Sequence, residues 1–140
     1  MLNKDLIYNR IDMIKRSLAR LRKMTVLSRE QFLADPDNFA IAEHHLRRAL
    51  ESLFNIGRHI MAKQGLGHPV DYRSIILTLG REKILPAEFA ERIKGMAGYR
   101  NRLVHGYAEV TPEEMYDIMQ HRLADFENYC TYILKYLEKV

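Results

Sequence analysis

Apolar residues return every three or four positions over long stretches of this chain, and strict alternation bounded by turn residues is nearly absent, so the pattern predicts helices throughout. From about Lys4 to Met24 the positions Ile7, Ile11, Ile14, Leu18 and Leu21 alternate spacings of four and three, which puts them on one stripe of a helix. Ser28 followed by Gln31 has the form of a capping box opening a short helix through Phe32 and Leu33, which Asp35-Pro36-Asp37 then stops. A second long helix is expected from Asp37 or Asn38 to Lys63. Phe39, Ala42, Leu46, Ala49, Leu53, Ile56 and Ile60 face inward along it, and Gly65, Gly67 and Pro69 end it.

Tyr72 to Leu79 reads as a shorter helix closing at Gly80. Pro86 suits the first turn of the next helix, with Leu85, Phe89, Ile93 and Met96 inward, and this helix continues into the polar segment that begins at Tyr99. Thr111, Pro112 and Glu114 mark the start of a last long helix whose stripe is Met119, Leu123, Phe126, Cys130, Ile133 and Leu137. Three long amphipathic helices joined by brief connections imply an all-α chain: an antiparallel four-helix-type bundle with one or two additional short helices, residues 1–140 forming one domain.

No run of 18 apolar residues occurs and no signal-peptide layout opens the chain, so a soluble, cytoplasmic protein is expected, with no part in the membrane. The single cysteine, Cys130, excludes an internal disulfide and a multi-cysteine zinc site, and its inward position makes it a core residue. A net charge of +4 is compatible with a nucleic-acid substrate without requiring one. Basic residues gather at Lys15, Arg16, Arg20, Arg22 and Lys23, at Arg47 and Arg48, and at Lys94, Arg100 and Arg102, a pattern that solvated helix faces also show. His44 and His45 are adjacent, point about 100° apart, and so do not form the i, i+4 metal pair of a helix. H-E-x-x-H and Glu-x-x-His are both missing, and neither metal nor cofactor is expected. His59 and His68 flank a connector without an evident partner, and Asp117 and His121 suit a helix-surface hydrogen bond. Glu51, in a polar break beside the stripe of its helix, either faces the cleft or is an ordinary exposed glutamate, and the second is the expectation.

Chemistry is densest at Tyr99–Tyr107, Y-R-N-R-L-V-H-G-Y. Asn101 and His105 are four apart and share a helical face, whereas Arg100 and His105 diverge by about 140°. Distortion at the helix end, or a two-fold dimer that brings the same helix end from a second subunit, would bring them into one site. Gly106 suits the position just past a helix C-terminus, which places His105 in the last turn. In metal-free RNA cleavage a base takes the proton of the ribose 2′-OH and donors stabilise charge on the phosphoryl oxygens. His105 and Arg100 have the matching chemistry, with His105 as base, acid or both. Asn101 orients by hydrogen bonding, and Arg102 is a candidate RNA contact.

Arg100-Asn101-x-x-x-His105 resembles the R-x(4-6)-H motif of HEPN-domain ribonucleases, and with Tyr107 the longer R-x4-H-x-Y resembles the HepT toxins. Ala49-x-Glu51, Gly67-His68-Pro69-x-x-Tyr72 and Met96-Ala97-Gly98-Tyr99 extend the resemblance over most of the chain. It implies a helical bundle that forms a homodimer with the motif in the cleft between subunits. The activity implied is that of a metal-independent endoribonuclease toxin of a type VII toxin–antitoxin pair. Arg100 and His105 would be catalytic, Asn101 supporting, and Tyr107 the acceptor of AMP from a minimal, MntA-like nucleotidyltransferase antitoxin. Gly106-Tyr107-Ala108 departs from relatives that carry a bulkier or acidic residue beside the tyrosine. The competing expectation is a non-catalytic helical module that binds a protein partner or RNA.

Overall fold

The computed structural model describes residues 1–105 and 109–140, His105 through its backbone alone. Among the described residues there are eight helices and no strand. They are α1 (Lys4–Met24), α2 (Arg29–Ala34), α3 (Pro36–Lys63), α4 (Tyr72–Arg81), α5 (Ala87–Ile93), α6 (Met96–His105), α7 (Pro112–His121) and α8 (Leu123–Leu137).

Local chemistry sets most of the helix starts. Asn3 accepts from the Leu6 N–H, Ser28 and Gln31 close the expected capping box, and Thr111 accepts from the Glu114 N–H with Pro112 in the first turn. Asp35 ends α2 and at the same time caps α3, so α3 begins at Pro36 with no separate turn between them. At the other end of α3, Gly65 takes φ +65° and the Leu66 N–H returns to the Met61 carbonyl at 2.9 Å, an arrangement that needs the left-handed conformation at the glycine. Asp71 and Ser74 form a second capping box at the start of α4.

Side chains at the helix ends fix the directions of the long helices. The Asn3 N–H donates to His59 Nε2 at 3.0 Å, and Lys4 Nζ donates to the Leu137 carbonyl at 3.1 Å. The start of α1 therefore lies beside the ends of α3 and α8, and α1 runs antiparallel to both. Arg22 near the end of α1 pairs with Glu127 near the start of α8. His59, expected without a partner, thus has one. The other faces of α3 are covered by α4 and α6, with α5 against α4, while α2 packs on α3 and α7. Every helix contributes to the buried cluster, from Ile7, Ile14 and Leu21 of α1 to Phe126, Cys130 and Ile133 of α8. The all-α bundle expectation holds.

Two expected helices are each broken in two. The helix expected from Pro86 is interrupted at Lys94–Gly95, where Ala97 and Gly98 donate to carbonyls only three residues back. The last helix breaks at Arg122, whose φ is −120°. Just past the second break the buried Asp125 accepts from Arg92 Nε of α5 at 2.9 Å, while Arg122 Nε lies 3.6 Å from its other oxygen, too far for a hydrogen bond. A buried charge is costly unless paired, and Arg92 supplies that pairing across α5 and α8. Tyr129, absent from the expected stripe, is fully buried and donates its O–H to the Leu53 carbonyl at 2.8 Å. Burial pushes its phenol pKa up, and pushes the Cys130 thiol up to about 12, so Cys130 is a core residue as expected.

Gly80 proved to be a packing residue and not a helix stop, since α4 continues to Arg81 and a Cβ at Gly80 would lie 2.6 Å from the Ala90 Cβ. Gly57 plays the same part between α3 and α4, where a Cβ would lie 2.5 Å from Ile75 Cγ2 and 3.3 Å from Leu79 Cδ1. Gly57→Ala should therefore cost about 1–3 kcal/mol by overpacking despite its better helix propensity. Urea unfolding checks this: the midpoint should fall with the slope unchanged, and an unaltered midpoint would mean that the two helices do not meet this closely.

Candidate active site

Arg100 lies on the face of α6 that packs on α3 and α4, and its side chain is only 13 % exposed. Its Nε donates to Glu51 Oε1 of α3 at 3.0 Å, and its guanidinium carbon sits 4.0 Å from the ring centroid of Tyr72, the first residue of α4. The ring itself is held edge-on by Phe54 at 5.1 Å and also carries Arg58, at 5.2 Å. Glu51 is therefore half-buried and ion-paired, which corrects its reading as an ordinary exposed residue. A guanidinium stacked on an aromatic ring and fixed through Nε is held in one orientation, and the carboxylate does not take the two-pronged Nη edge that matches phosphate oxygens.

Asn101 is exposed, on the next face of α6. The backbone of α6 stays helical through His105, so the divergence of Arg100 and His105 expected from a helix stands. The Gly106 and Tyr107 expectations lie outside the described residues. Arg102 is bound in a two-pronged pair, Nη1 to Glu114 Oε2 at 2.8 Å and Nη2 to Glu114 Oε1 at 2.6 Å, and Nη2 also donates to the Glu109 carbonyl at 3.0 Å. This ties α6 to the start of α7 and gives Arg102 a fastening role that its reading as an RNA contact did not include.

Among the described residues no three His, Cys, Asp or Glu side chains gather in a way that could hold a metal ion. His44 and His45 line a groove between α1 and α3 with their rings 5.0 Å apart. Asp117 pairs with Arg29 at 3.0 Å across α2 and α7, in place of the expected contact with His121. No helix of the described chain is long and apolar enough to cross a membrane.

A model of the family described as ribonuclease HepT-like matches residues 14–133. The chain belongs to the HepT-like ribonuclease family. Two HepT proteins are similar to it over nearly their whole length. The tRNA nuclease HepT of Aphanizomenon flos-aquae is 29% identical over 132 residues, covering 94% of this chain and 90% of that protein. The mRNA nuclease HepT of Shewanella oneidensis is 30% identical over 128 residues, covering 89% and 93%. Among solved structures, the tri-AMPylated HEPN toxin of Shewanella oneidensis in complex with its MNT antitoxin superposes with a TM-score of 0.84 at 30% identity, over 94% of this chain and 98% of that one. The resemblance drawn from the motif is thus borne out for the family, and with it the expectation of an RNA-cleaving enzyme.

The polar segment of the sequence offered Arg100, Asn101 and His105 as candidates, but it did not offer Tyr72 and Arg58 as neighbours of the arginine or Glu51 as its partner. One signal was available. Glu51 shares a polar stripe of α3 with His44, Arg48, Asn55 and Arg58 at spacings of four, three, four and three, a lone carboxylate between two arginines.

Proposed function

We propose that this chain is the toxin of a type VII toxin–antitoxin pair: a cytoplasmic, metal-independent endoribonuclease of one domain that acts as a homodimer and is silenced by AMP addition to Tyr107. The observation that carries the reading is Arg100, held by Glu51 and Tyr72 with its orientation fixed before any substrate arrives. Arg100 neutralises the phosphoryl oxygens as charge builds on them. His105 takes the 2′-OH proton, the 2′-oxygen attacks phosphorus, and the O5′ bond breaks with a proton delivered to the leaving oxygen. The products are a 2′,3′-cyclic phosphate and a 5′-hydroxyl. Asn101 orients the imidazole or the ribose. Because Arg100 turns toward α3 while Asn101 faces outward, a two-fold partner that presents its own α6 end completes the cleft. The MntA-like nucleotidyltransferase supplies AMP from ATP, as the MNT antitoxin bound to the AMPylated relative suggests.

Cleavage of RNA in a chelating buffer tests this reading. The wild-type chain should cut, leaving cyclic phosphate ends, and His105→Ala should lose about 10²-fold or more in kcat. A requirement for divalent metal, or a fully active His105→Ala, would overturn it. RNA affinity without cleavage would point to a binding module.

A further inference from the structure

The exposed face of α3 carries a row of polar and mostly basic residues that runs beyond the site above. At about 100° per residue His44, Arg47, Arg48, Glu51, Asn55 and Arg58 fall within an arc of about 100°, and from His44 to Arg58 the row is about 21 Å long. Glu51, in the middle of the row, holds Arg100. At its N-terminal end the row opens into a groove of about 450 Å³ between α1 and α3, to which α1 adds Arg16, Arg20 and Lys23 and which no carboxylate lines.

Arg16 of the groove pairs with Asp12, but most of the cations gathered here meet no carboxylate among the described residues. Arg22, Arg29, Arg92, Arg102 and Arg122 are each met by a carboxylate. Arg20, Lys23, Arg47 and Arg48 make no ion pair among the described residues. The groove is also positive enough to act on its own histidine, since His45 has its pKa lowered by burial first and then by His44, Arg20 and Arg48. Its Nδ1 is buried without a hydrogen-bond partner. Unneutralised like charges held together repel one another and favour a polyanion that relieves them.

We propose that this row and groove form a binding track for the RNA phosphate backbone, leading from the scissile phosphate at Arg100 along α3 to Arg48, Arg20 and Lys23. The inference rests on the ribonuclease reading and adds the path of the substrate beyond the cut. The track grips phosphates and not bases, so it lengthens the footprint without choosing a sequence. A protein partner would need acidic residues spaced to match the row, whereas single-stranded RNA offers evenly repeated charge.

The test uses the full-length chain, wild type and the triple variant Arg20→Gln, Lys23→Gln, Arg48→Gln, all three positions being exposed. Binding of a fluorescein-labelled single-stranded RNA long enough to reach both ends of the track is read by anisotropy across a salt series, and cleavage of that RNA is compared with cleavage of a dinucleotide. The triple variant should raise KM for the long RNA about tenfold or more with kcat unchanged, flatten the dependence of log K on log salt by about 2, and cut the dinucleotide as well as wild type does. An unchanged salt slope and KM would overturn the track. So would a variant that keeps RNA affinity but no longer associates with the antitoxin, which would assign this face to a protein. A wild-type chain that binds the RNA in this salt-dependent way without cutting it would overturn the ribonuclease reading and leave the track standing. If the triple variant fails to fold, Arg48→Gln alone carries the test with a proportionately smaller change of slope.

Discussion

Arg100→Ala should lower kcat/KM for RNA by about 10³-fold, the largest loss expected from any single substitution among the described residues. The magnitude follows from its placement. A guanidinium on the Tyr72 ring and paired to Glu51 needs no reorganisation when charge develops on the phosphate, whereas water that fills the space must reorient. Arg100→Lys keeps the charge but loses the flat edge and the stack, and should recover less than about a tenth of the lost rate. Glu51→Gln keeps a hydrogen-bond acceptor for Nε and removes the charge. As a positioning residue it should lower kcat by about tenfold with little change in KM, and Glu51→Asp should recover part of that loss. Single-turnover cleavage with a folding check by circular dichroism reads all four variants. An Arg100→Ala chain that folds and cuts within about threefold of wild type would remove Arg100 from the mechanism.

Tyr107→Phe should abolish AMP addition by the partner nucleotidyltransferase and ATP, while leaving ribonuclease activity near that of wild type. In the proposed reaction the phenol oxygen attacks the α-phosphorus of ATP and pyrophosphate leaves, so removing that oxygen would remove the acceptor. Each AMP placed there brings a phosphodiester anion to within two residues of His105 in sequence, where it competes with the RNA phosphate for the same cations. Intact-mass measurement after incubation should show wild type gaining one or more AMP units and Tyr107→Phe none, and co-expression with the antitoxin should fail to protect cells from the variant. Addition of AMP to the variant at undiminished yield would place the acceptor elsewhere.

Most of the fold is readable along the chain because its determinants are local. The Ser28–Gln31 box, the Thr111-Pro112 start and the glycine that closes α3 are short-range devices, and each is formed. The breaks at Lys94–Gly95 and Arg122 are not readable, because the apolar rhythm continues across both. Asp125 draws on Arg92, 33 residues away, and no periodicity announces that pairing. The site divides along the same line. The polar segment that begins at Tyr99 is contiguous and conspicuous, but Glu51 is 49 residues from Arg100, and a single glutamate on a helix gives no sign of which cation it will meet. Tyr72 reads as a helix opener, and only the packing of α4 on α3 reveals the arginine above its ring.

The position of Tyr72 also limits how such chains can vary. The ring sits at the first residue of α4, so its depth beneath Arg100 is fixed by the short connector between Lys63 and Tyr72, pinned at one end by the Gly65 turn and at the other by the Asp71–Ser74 cap. That connector works as a spacer of set length. Insertions accepted in an ordinary surface loop would here move the ring out of register with the guanidinium, so a chain with a lengthened connector would keep its bundle and lose the fixed orientation of Arg100.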